Sequence, residues 1–139
     1  MKIVVLKFGG TSVGTIEKIK KVTDIIIEYK KKKNKVIVVS SAMSGVTNDL
    51  IKKSKQISNN FIDSEYDVLV SSGEQVACSL IAGRLNHKGF KSRSWLGWQI
   101  PIFTNGPYTN SRIQQVNKNK LLRFLKEGGI PIITGFQGV

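Results

Sequence analysis

The chain has 139 residues, 40% hydrophobic and 22% charged, a balance that fits one globular domain with a real core. Twenty-two lysines and arginines against nine acidic residues give a formal net charge of +13. No apolar run nears the roughly 20 residues that cross a bilayer, and the single cysteine, Cys78, excludes an internal disulfide or a multi-cysteine metal site.

Ile3-Val4-Val5-Leu6 is a short β-branched run that reads as a strand, and Lys7-Phe8-Gly9-Gly10-Thr11-Ser12-Val13 follows it directly. Glycines let a backbone turn tightly and bring consecutive N–H groups up to an anion. A helix opening next would add its positive end, and Lys7 a mobile full charge. The segment is therefore either a phosphate-cradling loop or an ordinary strand-to-helix turn. From Val13 to about Lys33, Ile16, Ile19, Val22, Ile26 and Tyr29 recur at the spacing of an amphipathic helix. The cluster Lys30-Lys31-Lys32-Lys33, with Asn34-Lys35 after it, falls where that helix should end and its dipole favours cations. That accounts for the densest charge without a nucleic-acid patch, and no recognition motif or aromatic-studded basic strand joins it.

Val36-Ile37-Val38-Val39 is continuously apolar, as expected of a strand buried on both faces beside a parallel neighbour. Ser40-Ser41-Ala42-Met43-Ser44-Gly45 forms a second small-residue turn, and a helix is expected over about Val46 to Ile57. After the polar break Ser58-Asn59-Asn60, the pattern predicts a shorter helical stretch ending near Ser72-Gly73. A separate helix should then run from about Glu74 to His87, with Val76, Leu80, Ile81 and Leu85 on one stripe. On that reading Glu74 stands in a helix's first turn, where the dipole favours its charge. Cys78 reads as a buried structural thiol, and the lone histidine, His87, as a cationic helix terminus. Short strands are expected near Ser92–Trp95, Ile102–Thr104 and Arg112–Val116, then a helix over about Asn117–Lys126 and a strand over Ile130–Thr134. Trp95 and Trp98 fit core or interface packing better than base stacking.

Strands alternating with helices predict an α/β domain with a mainly parallel sheet sandwiched by helices. Ligands sit beyond the carboxyl ends of such strands. The loops Gly9–Ser12, Ser40–Gly45 and Gly135–Gly138 all leave strand ends, so one shared pocket is expected there.

Lys7-Phe8-Gly9-Gly10-Thr11-Ser12-Val13 resembles the N-terminal motif of aspartate kinases, members of the amino acid kinase superfamily with its carbamate kinase-like fold. It is neither a Walker A loop nor a dinucleotide fingerprint. Ser41-Ala42-Met43-Ser44-Gly45-Val46-Thr47-Asn48 is similar to that family's second loop, which helps hold the amino acid, and Ser72-Gly73-Glu74 to its Gly-Glu, whose glutamate binds the α-amino group. Thr47 read locally is equally a helix-capping residue. Tyr66-Asp67 fits the family's spacing, Asn110-Ser111-Arg112-Ile113 looks like its Asn-x-Arg-Ile stretch, and Gly135-Phe136-Gln137-Gly138-Val139 like its Gly-Phe-x-Gly segment near the phosphates.

The resemblance implies phosphorylation of the L-aspartate β-carboxylate by ATP with Mg2+, opening lysine, threonine and methionine biosynthesis. It assigns Lys7, Gly9, Gly10, Thr11 and Ser12 to the phosphates, with Lys7 catalytic, and Ser41, Thr47 and Glu74 to aspartate. A homo-oligomeric, cytoplasmic enzyme is implied, with no membrane partner. The fold is expected to be incomplete: residues 1–139 would form the N-terminal, amino-acid-substrate half of the kinase domain, without its ATP-binding half or regulatory domains, and alone would be inactive. The alternatives are another amino acid kinase, a basic nucleic-acid-binding protein, or a non-catalytic subunit completed by a partner.

Overall fold

A computed structural model describes residues 2–136. In chain order the elements are β1 (Ile3–Phe8), α1 (Ile16–Lys31), β2 (Lys35–Ser40), α2 (Val46–Ile57), α3 (Asp63–His87), β3 (Ser92–Trp95), β4 (Ile102–Asn105), β5 (Arg112–Val116), α4 (Asn119–Lys126) and β6 (Ile130–Thr134). Among the described residues, four strands form a sheet in the order β1-β2-β6-β3, every neighbouring pair parallel.

Layers pack on both faces of this parallel sheet, completely on one and partly on the other. On one face Val36, Val38, Ile130 and Ile132 pack against Ile19, Val22 and Ile26 of α1 and Cys78, Ile81 and Leu85 of α3. On the other, Ile133 and Trp95 meet Ile100, Ile102, Leu121 and Phe124. This second layer stops short of β1, where Ile3 and Val5 remain 47% and 60% exposed. Helix α1 starts later than its apolar pattern suggests. The Thr15 hydroxyl caps it by accepting from the Lys18 N–H, while Val13 is left buried in the core.

Three further expectations change. The two helices predicted on either side of Ser72-Gly73 are one helix, α3, of 25 residues. The Ser71 and Ser72 hydroxyls donate back to the carbonyls of Val68 and Leu69, so these turn-prone residues sit inside the helix without diverting its backbone. Its core stripe runs through Val70, Ala77, Cys78, Ile81 and Leu85, and Val76 and Leu80 face outward. Finally, β4 and β5 form an antiparallel hairpin apart from the main sheet, bulged between Phe103 and Thr104. Gly106, at φ +88, supplies the left-handed turn, and Asp67 accepts the Thr109 N–H at 2.9 Å, tying the hairpin tip to α3. Arg112 opens β5 on the exposed hairpin, as a surface arginine. Trp95 is buried and Trp98 exposed.

Candidate functional site

The carboxyl ends of β1, β2 and β6 lie side by side, with Phe8 opposite Ser40 and Ser40 opposite Thr134. The chain leaving each strand is pinned to its neighbour. The Ser41 N–H donates to the Phe8 carbonyl at 3.1 Å and the Gly135 N–H to the Ser40 carbonyl at 3.0 Å. After β1 the chain turns at once, the Ser12 N–H donating to the Gly9 carbonyl, and the Lys18 ammonium ties down the Thr11 carbonyl at 2.9 Å.

Two glycines let the first loop lie against the second. A Cβ at Gly10 would stand 3.0 Å from the Ala42 carbonyl oxygen, and one at Gly14 would stand 3.0 Å from the Ser44 Cβ. The second loop then enters α2 through Gly45 in the left-handed region at φ +84, with no side chain capping the helix. First-turn N–H groups have no partner within their own helix, so this end of α2 offers donors and partial positive charge. Helix α3 closes the site from beneath. A Cβ at Gly73 would meet Val46 Cγ1 at 3.0 Å, Ala42 Cβ at 3.2 Å and Leu50 Cδ1 at 3.3 Å.

Between these parts lies a cavity of about 510 Å³, lined by Gly10, Thr11, Ser41, Thr47, Asn48, Tyr66 and Glu74, with Met43, Ile51, Val70 and Phe136 as its apolar wall. Glu74 decides its chemistry. The residue is 8% exposed, in the middle of α3 rather than in a first turn, and its Oε2 is buried without a hydrogen-bond partner. The helix dipole therefore does not explain this carboxyl. Burial is the dominant influence and pushes it up to about 8, only partly offset by a hydrogen bond from the Ala42 backbone. Among the described residues no lysine or arginine lines the cavity. One turn further on, burial, and secondarily the charge of Glu74, push the Cys78 thiol up to about 12, which suits an inert structural cysteine.

Of the residues expected to bind ligand, Gly10, Thr11, Ser41, Thr47 and Glu74 share this one cavity. Lys7, Gly9 and Ser12 lie outside its lining. Lys7 is exposed at the end of β1, and the space around Gly9 is open. The first two predicted loops and the start of the third meet as expected, whereas Gln137, Gly138 and Val139 lie outside the described residues. Sequence reasoning did not assign Asn48, Tyr66 or Val70 to the site. A signal existed, because Tyr66, Val70 and Glu74 recur every four residues, but only a continuous helix puts them on one face. Among the described residues no three His, Cys, Asp or Glu side chains cluster as metal ligands.

The family model described as the amino acid kinase family matches residues 2–139. An aspartokinase of Geobacillus stearothermophilus is 48% identical over 139 residues, covering 100% of this chain and 34% of that protein. One of Rickettsia conorii is 44% identical over 142 residues, covering 35% of its length. The chain thus spans about a third of the curated relatives it matches. Among solved structures, an aspartate kinase from Synechocystis superposes with a TM-score of 0.82 at 37% identity, over 100% of this chain and 22% of that one. E. coli aspartokinase III in complex with aspartate and ADP superposes with a TM-score of 0.82 at 21% identity, over 99% of this chain and 41% of that one, a likeness of fold.

Proposed function

The chain belongs to the amino acid kinase family, and on that premise we propose that it forms the amino-acid-binding side of an aspartate kinase. The observation that carries this reading is the cavity holding the buried carboxyl of Glu74, its Oε2 without a hydrogen-bond partner, beside the uncapped start of α2. A buried acid complements an ammonium group, and a helix N-terminus complements a carboxylate. One small zwitterion with a second carboxylate satisfies both ends and still presents a nucleophile.

In this reading Glu74 takes the α-ammonium of L-aspartate, while the hydroxyls of Ser41 and Thr47 fix its orientation. A β-carboxylate oxygen attacks the γ-phosphorus of ATP, the bond to the β–γ bridging oxygen breaks, and aspartyl phosphate and ADP form. Gly9, Gly10, Thr11 and Ser12 present backbone and hydroxyl donors to the transferring phosphoryl group, and Lys7 neutralises its charge. Lys7 and Gly9 lie outside the amino acid cavity, which suits a neighbouring phosphate subsite. Residues 1–139 constitute the amino-acid-substrate half of the kinase domain. Among the described residues no group of three or more His, Cys, Asp or Glu side chains is placed to hold Mg2+. The complete enzyme is a homo-oligomeric cytoplasmic kinase that opens lysine, threonine and methionine biosynthesis.

Calorimetric titration with L-aspartate tests the reading. Saturable binding that is lost in Glu74→Gln is expected, with no ADP release from these 139 residues alone. Absence of L-aspartate binding refutes it, and ADP release would refute the view that the chain is only half of the machinery.

A further inference from the structure

We infer that an ammonium-bearing ligand enters this cavity by exchange, its positive charge displacing a proton from Glu74 into solvent. The inference rests on the amino-acid reading of the cavity but adds a coupling that the reading does not contain. Its geometric basis is that, among the described residues, no cation lines the cavity beside the carboxyl and its buried Oε2 has no hydrogen-bond partner. From the loop after β2, Glu74 meets the Ala42 backbone. From the end of β6 it meets Gly135, whose Cβ position would lie 3.6 and 3.7 Å from its two oxygens. The loop after β1 brings Gly10 and Thr11 to the cavity, and α2 brings Thr47, Asn48 and Ile51. On α3 itself the titratable neighbours are Tyr66 and Cys78, and neither is a cation.

An isolated carboxylate in such a place is costly, and the group takes up a proton instead. With its carboxyl pushed up to about 8, the empty site holds a neutral acid at neutral pH. A ligand ammonium supplies the missing partner. The neutral carboxyl and the ammonium become a carboxylate–ammonium pair, and one proton leaves to buffer, so charge and atoms balance. A ligand of the same shape without the amine has nothing to displace the proton.

Calorimetry in two buffers of different ionisation heat reads this directly. L-Aspartate should release about nine-tenths of a proton at pH 7 and close to none at pH 9, and its apparent affinity should rise close to tenfold per pH unit between pH 5 and 7. Succinate, which lacks the amine, should release none. Carboxyl-labelled glutamate observed by NMR should show Glu74 protonated at pH 7 when the site is empty and ionised once L-aspartate is added. L-Aspartate binding with no buffer dependence at pH 7, or equal proton release from Glu74→Gln, overturns the coupling while the amino-acid reading stands. No binding of L-aspartate at either pH removes the reading and the coupling together.

Discussion

Replacing Glu74 by glutamine should remove a steep fall in this protein's stability with rising pH. The buried carboxyl is pushed from an ordinary 4.5 up to about 8. Between those values the unfolded chain has lost the proton and the folded chain keeps it. Stability from this group is therefore full below pH 4.5, falls by about 1.4 kcal/mol per pH unit above it, and levels off past pH 8. By pH 7 the loss is about 3 kcal/mol, a large share of the roughly 5–15 kcal/mol that holds a domain folded. Glutamine does not ionise, so this slope vanishes. Its amide does place an N–H2 where the structure offers Oε2 no partner, at a cost of about 1–3 kcal/mol. The two stability curves should therefore cross near pH 6. Below the crossing the native chain is the more stable, and above it Glu74→Gln is. Urea unfolding of both proteins from pH 4.5 to pH 8.5 gives the difference curve. Parallel curves over that range would mean that Glu74 is already ionised in the folded state and would refute the reasoning.

Two further perturbations probe how α3 is held. Gly73→Ala and Gly83→Ala each gain about 1 kcal/mol of helix propensity. Only the Gly73 methyl meets neighbours, at 3.0–3.3 Å on Val46, Ala42 and Leu50, where overpacking costs about 1–3 kcal/mol, whereas Gly83 faces open space. Melting temperatures should therefore shift in opposite directions, down for Gly73→Ala and up for Gly83→Ala. Two upward shifts would show that α2 yields freely. Arg84→Met removes the Nε donor that reaches the buried Thr23 hydroxyl at 2.7 Å and the guanidinium lying 3.5 Å from Asp24. Asp24 is exposed, so the loss of about 1–2 kcal/mol should come from the buried hydrogen bond and persist at high salt. A loss that disappears with added salt would assign it to the ion pair instead.

What could be read from the residues alone follows the range of the forces involved. Strand β2 announces itself because contiguous β-branched residues suit a sheet covered on both faces, and β6 because its apolar run follows the turn Gly128-Gly129; the loops after β1 and β2 do so because glycine and small hydroxyl residues follow those runs directly. These are local properties. The character of α3 is not local. Ser71-Ser72-Gly73 looks like a helix stop, and a stop there would put Glu74 in a first turn with its charge favoured. In the folded protein the serines turn their hydroxyls onto the helix's own carbonyls, and Gly73 gives up its side chain to let Ala42, Val46 and Leu50 close in. That contact joins residues far apart in the chain, and no window of sequence contains it. It also reverses the electrostatics of the residue that follows. The glycine that imitates a helix stop brings α2 and the second loop down onto α3, and this close approach deprives the Glu74 carboxyl of water. The same sequence feature that hid the site from local reading is thus what gives its central acid a reason to bind a cation.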